Sequence, residues 1–99
     1  VKLEISKRAR RHIEMRQAWW SKHRPAARGL FLDELAAAEW QLRTAPELGL
    51  IYVERNQRII RRVLLPKTAT HVYYSLDTNR DLVTVLAVWG AQRGRTPRL

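Results

Sequence analysis

The chain has 99 residues, 45% of them apolar and four of them Trp, with no Cys and a net charge of +10 from 19 Lys and Arg against 9 Asp and Glu. A chain this short hides a little over ~60% of its unfolded surface around one core, so a single domain over residues 1–99 is expected, and the apolar content excludes a disordered basic tail. Lack of Cys excludes disulfides and thiolate chemistry and suits a cytoplasmic protein, no apolar run approaches the ~18 residues of a membrane span, and the charge asks for an acidic or nucleic-acid partner.

The charge sits at the two ends. Lys and Arg outnumber Asp and Glu eight to two over residues 1–24 and nine to two over residues 55–99, and are outnumbered five to two in between. One positive surface arises only if the first helix meets the sheet in space.

Val1, Leu3 and Ile5 alternate with Lys2, Glu4 and Ser6, the period of a half-buried strand. Ser6 then stands where a helix N-cap belongs, and apolar residues recur at helical spacing to about His23, with Lys7, Arg8, Arg10, Arg11 and Lys22 on the outer side. Pro25 breaks that pattern and fits a first helical turn, so a second helix is expected from near Pro25 to Thr44. Its apolar stripe is Ala27, Phe31, Leu35, Ala38, Leu42 and Ala45, widened by Leu30, Ala37 and Trp40. Ala45-Pro46-Glu47-Leu48-Gly49 reads as a stop and turn, with Gly49 free to take positive φ. Strands are expected at 50–53, 58–65, 70–76 and 82–89, with short connections that make them antiparallel neighbours, and residues 90–99 read as a basic tail whose composition suits mobility and a target-binding role of Arg93 and Arg95 equally. The order β-α-α-β-β-β-β predicts an α+β layer: a helical hairpin on one face of a small, mostly antiparallel sheet whose other face is left to solvent or to a partner.

Several residues invite a chemical reading. Arg61 and Arg62 are adjacent on a strand and point to opposite faces; each either binds phosphate or carboxylate or is a solvated strand charge. Tyr74 shares the core face with Val72 and Leu76, whereas Tyr73 shares the outer face with His71 and Ser75, where it either stacks on a base or packs on the sheet. His12, His23 and His71 lack Cys companions and ligand spacing, so no metal or cofactor is assigned. Asp33 and Glu34 diverge by ~100° around a helix and read as a solvated face. A domain this small rarely hides four indoles, so at least one of Trp19, Trp20, Trp40 and Trp89 is an exposed partner anchor. A helix-turn-helix over residues 7–44 is disfavoured because Asp33, Glu34 and Glu39 repel phosphate.

The opening Val1-x-Leu3 strand with Ala9, Phe31-Leu32-Asp33-Glu34-Leu35, Pro46-Glu47-Leu48-Gly49, the Arg61-Arg62 strand, Val72-Tyr73-Tyr74 with Asp77, and Val85-Leu86-Ala87-Val88-Trp89-Gly90 before Arg93 together resemble the RelE/ParE family of toxin-antitoxin toxins, the ParE branch above all. The resemblance covers nearly the full length. It implies a toxin neutralised by an acidic, partly disordered ParD-like antitoxin, acting without catalysis on DNA gyrase if ParE-like, or cutting messenger RNA in the ribosomal A site if RelE-like. For the antitoxin it points to Arg8, Arg11, Met15, Trp19, exposed Leu30 and Trp40, Arg61 and Arg62, with the antitoxin tail adding to the sheet edge; for the target, to Arg93, Arg95 and Trp89. A ribonuclease would use Arg61, Arg62, Tyr73 and Arg93, with Lys67 in support, but no Tyr or His follows Tyr74 in the sequence. Two further readings stand beside these: a nucleic-acid-binding module with Tyr73 as its platform, and an inactive relative.

Overall fold

The computed structural model describes residues 1–92 and 94–99. Two helices pack on a five-stranded sheet of order β1-β5-β4-β3-β2, built from β1 (Lys2–Ile5), α1 (Lys7–His23), α2 (Leu30–Thr44), β2 (Leu50–Arg55), β3 (Arg58–Leu65), β4 (Thr70–Asp77) and β5 (Leu82–Gly90). Neither helix is long and apolar enough to cross a membrane. The expected α+β architecture is present, with one parallel pair, β1 on β5.

Ser6 caps α1 as its sequence position requires, its Oγ accepting the Ala9 N–H at 3.1 Å. That bond satisfies one of the orphan donors of the first turn and is worth about 1 kcal/mol. The second helix starts later than the sequence suggests. Pro25–Ala27 form a single 3-10 turn, and the Arg28 carbonyl accepts from the Gln17 side chain at 3.0 Å instead of continuing a helical ladder. With Gly29 as N-cap, α2 begins only at Leu30. Its buried stripe is Phe31, Leu35, Ala38 and Leu42, side chains whose burial contributes roughly 1.5–3 kcal/mol for each large one. The stripe is narrower than expected: Ala37, Trp40 and Ala45 are exposed. Leu30 turns inward against the main core cluster, where Ala9, Trp20, Phe31 and Leu35 meet Val72, Val85 and Val88 of the sheet.

Gly49 is required for space rather than for φ, since no Gly among the described residues has positive φ. The Tyr74 hydroxyl accepts the Gly49 N–H at 2.8 Å and donates to the Pro46 carbonyl at 2.8 Å. A Cβ on Gly49 would lie 2.6 Å from that hydroxyl, so the glycine and the buried phenol lock the α2–β2 turn to the sheet. The β2–β3 connection is tighter than the expected four-residue loop. Arg55 pairs with Arg58, leaving Asn56 (φ 53°) and Gln57 (φ 63°) as a two-residue hairpin with both φ positive.

A bulge in β5 sets which side chains face the helices. Tyr74 pairs with Val85 and Tyr73 with Ala87, so Leu86 is unpaired. Val83 and Val85 before it and Val88 after it therefore all join the clusters under the helices, whereas Ala87 packs on the outer face. The outer face is not left open, contrary to expectation. Of the two readings of Tyr73, a stacking platform or a side chain packed on the sheet, the second holds: it is 1% exposed, in a cluster with Ile60 and Ala87 onto which Tyr52, Trp89 and Leu99 pack. Pro97 is buried, and the Trp89 indole N–H donates to the Arg95 carbonyl at 2.9 Å. Residues 94–99 of the basic tail fold back onto the domain.

Candidate functional site

A cleft of about 830 Å³ opens between α1 and the far end of β5. From the helix come Arg8, Arg11, His12, Met15 and Trp19; from the β3–β4 turn, Lys67 and Thr68; from the end of β5 and beyond, Trp89, Gln92 and Arg95. The two basic ends of the sequence meet here. No Asp or Glu lines the cleft among the described residues, so its charged lining is of one sign.

The cleft owes its shape to three local events. First, β1 covers β5 only as far as Val85, and α1 takes over beyond it: the Val88 N–H, otherwise an orphan edge donor, bonds His12 Nδ1 at 3.2 Å. The His12 ring meets Trp89 edge to face at 5.2 Å. Second, Arg16 reaches across to the β3–β4 turn, donating to Thr70 Oγ1 at 3.0 Å and to the Thr68 carbonyl at 2.7 Å. Third, Glu34 holds the same turn from α2, accepting from Lys67 N at 2.7 Å, Thr68 N at 3.0 Å and Thr68 Oγ1 at 2.7 Å. Glu34 is thus a turn anchor and not the solvated helix charge its position suggests.

Trp19 stands in the cleft wall, 39% exposed. His23 stacks on its ring at 4.6 Å and 14°, and the Arg16 and Arg24 guanidinium carbons lie over it at 5.4 and 5.7 Å. Met15 beside it is 62% exposed. Trp20, also in the lining, keeps its indole Nε1 buried with no hydrogen-bond partner, an uncommon state for a buried donor. The first turn of α1 contains Lys7, Arg8 and Arg10 and no acid, against the helix macrodipole, which disfavours cations there. Charge placed against local stability is expected where it serves binding.

A second group lies on the outer sheet face. The Arg62 guanidinium sits 5.0 Å over the Tyr52 ring and donates to the Tyr73 hydroxyl at a long 3.4 Å. The half-buried His71 ring meets Tyr73 edge to face at 5.9 Å. Burial first, and the Arg62 charge second, push the His71 pKa below its usual 6.5, so the ring is neutral at pH 7.

The sequence-derived candidates thus fall in several places. Arg8, Arg11, Met15 and Trp19 share one cleft with Trp89 and Arg95; Arg93 lies outside the described residues. Trp40 is 64% exposed on α2, away from the cleft lining, and Leu30 is packed inward instead of exposed. Arg61 and Arg62 do take opposite faces, but Arg61 Nη1 is held by the Gly49 carbonyl at 2.9 Å. The residues missed are His12 and Arg16 as cleft walls, and His71 as a neutral imidazole beside Arg62; Lys67, read from sequence only as support for a ribonuclease, also lines the cleft. Positions 8, 12, 15 and 19, spaced 4, 3 and 4, already share one helical face, which is the sequence pattern that marks the cleft.

The fold matches that of a solved structure, the isolated RelE toxin of E. coli in a P21 crystal form, with a TM-score of 0.62 over 94% of this chain and 86% of that one. Identity between the two is 16%, so the likeness is one of fold. No protein-family model matches the chain, and no curated protein matches it in sequence.

Proposed function

We propose that this protein is the toxin of a two-component toxin-antitoxin module, held inactive by an acidic antitoxin and acting on DNA gyrase without chemistry of its own. The fold it shares with a RelE toxin supports the first part. The carrying observation for the antitoxin is the basic cleft, lined by no described Asp or Glu, where Arg8, Arg11, Met15 and Trp19 offer charge and apolar anchor together. Exposed Trp40 extends the contact over α2. Trp89 and Arg95, with Arg93, are assigned to the target.

Burial of Tyr73 argues against cleavage. In-line attack by a ribose 2′-hydroxyl uses a base for the nucleophile and an acid for the leaving 5′-oxygen. The Tyr73 phenol is enclosed, and the described residues closing β5, Trp89-Gly90-Ala91-Gln92, bring no titratable group.

One observation favours a second reading, messenger RNA cleavage of the RelE kind. A neutral His71 beside Arg62 sets a base next to a cation of the kind that holds phosphate. Plasmid supercoiling and cleavage by gyrase, measured with the purified protein beside ribosome-dependent cleavage of a message, separates the two. Loss of supercoiling with accumulated broken DNA is the expected result. Message cleavage abolished by His71→Ala, with gyrase untouched, overturns it in favour of the second reading.

A further inference from the structure

We infer that the α1–β5 cleft is a receptor for a peptide segment of pattern acidic–apolar–acidic, recognised through side chains and not by strand addition. The identity of its bearer as an antitoxin rests on the toxin reading above; the chemistry of the cleft does not.

Charge sets the outer parts of the pattern. Arg8 and Arg11 line the cleft near the start of α1, and Arg24, Lys67 and Arg95 line it farther on. Arg8 and Arg24 are separated by 16 helical steps, about 24 Å at ~1.5 Å per residue, the reach of a short peptide. Between them lie Met15, 62% exposed, and the free edge of Trp19, an apolar stretch that a chain carrying only anionic groups leaves unused.

Nucleic acid fits less well. A single strand gains its affinity from bases laid on open aromatic faces, and the Trp19 face is already taken by His23, Arg16 and Arg24. The outer-face candidate, Tyr73, is enclosed. An aliphatic side chain needs no open ring face and packs against a Trp edge and a Met thioether equally well.

Strand addition to the β5 edge is closed off beside the cleft. The Val88 N–H is held by His12 and the Leu86 carbonyl accepts from Ser6 Oγ at 3.4 Å. Two backbone groups that a visiting strand would pair with are thereby occupied, so recognition falls to side chains.

The test uses the full chain and three probes: a 15-residue peptide with Glu pairs flanking a Leu pair, the same peptide with Ser for Leu, and a 15-nucleotide oligo-dT, each titrated by Trp fluorescence at low and at physiological salt. We expect saturable binding of the Leu peptide, weakened on the order of tenfold by Leu-to-Ser exchange, by Met15→Ser and by Arg11→Glu, and unchanged by Arg58→Glu, an exposed charge outside the cleft. Equal binding of the Ser peptide, tighter binding of oligo-dT, equal weakening by Arg58→Glu, or no peptide binding at all overturns the inference. Growth arrest on expression is scored separately: arrest without peptide binding refutes the cleft and leaves the toxin reading, and peptide binding without arrest does the reverse.

Discussion

His71 shows how much a single side chain's surroundings decide. Two causes push its pKa down, burial and the nearby Arg62 charge, with burial the larger. A histidine held neutral in the folded state takes its proton more readily when unfolded. Its contribution to stability is therefore complete above its ordinary pKa and is lost as pH falls through the lower folded value. An NMR titration of the His71 ring is expected to give a midpoint below 6.5, the ordinary value. In Arg62→Leu the midpoint moves up but stops short of that value, because the burial remains. A midpoint at or above 6.5 in the wild-type chain would mean that the ring is solvated, and the case for a neutral base on the outer face would go with it.

Among the elements, the β2–β3 hairpin is bent in a conformation its second turn residue tolerates poorly. Asn56 suits positive φ, but Gln57 at φ 63° has a Cβ in the left-handed region, which costs roughly 1–2 kcal/mol for an ordinary residue. Gln57→Gly removes that strain and adds back part of it as unfolded-state entropy. A net gain of about 0.5–1 kcal/mol in urea unfolding is expected, with the slope of the transition unchanged; a loss would show that the Gln57 side chain makes a contact worth more than the strain. The same hairpin marks a limit of sequence reading. The alternation in residues 58–65 and 70–76 gives both strands and the inward Tyr74, and Pro46 and Gly49 give the turn. Alternation does not reveal a bulge, so the parity switch at Leu86 that brings Val88 under the helices is invisible. The enclosed Tyr73 follows from tertiary cover by Leu99 and Tyr52, which lie far from it in sequence. Of the cleft, the helical wall at 8, 12, 15 and 19 is legible as one face, but Arg95 joins it through the bond from the Trp89 indole to its carbonyl, and Lys67 because Arg16 and Glu34 hold the β3–β4 turn in place. Those two ties link residues more than 30 apart.

At the scale of the molecule, the fold brings the two basic ends together at the cleft and leaves the acidic α2 outside its lining. Like charges gathered across a concave wall repel in the compact state and separate on unfolding, so the binding surface weakens the native state. Arg11, exposed at the cleft mouth, tests this. Arg11→Ala is expected to raise stability by a few tenths of a kcal/mol at ~10 mM salt, about 1–3 °C in melting temperature for a domain of this size. The gain disappears near ~1 M salt, where the Debye length shrinks to about 3 Å. Arg16→Ala, in contrast, strips donors from the Thr68 carbonyl and Thr70 hydroxyl and destabilises at every salt concentration, by about 1–3 kcal/mol. Arg11→Ala lowering the melting temperature at low salt would mean that the cleft cations are balanced within the chain, and the pull of the cleft on an acidic partner would lose its physical source.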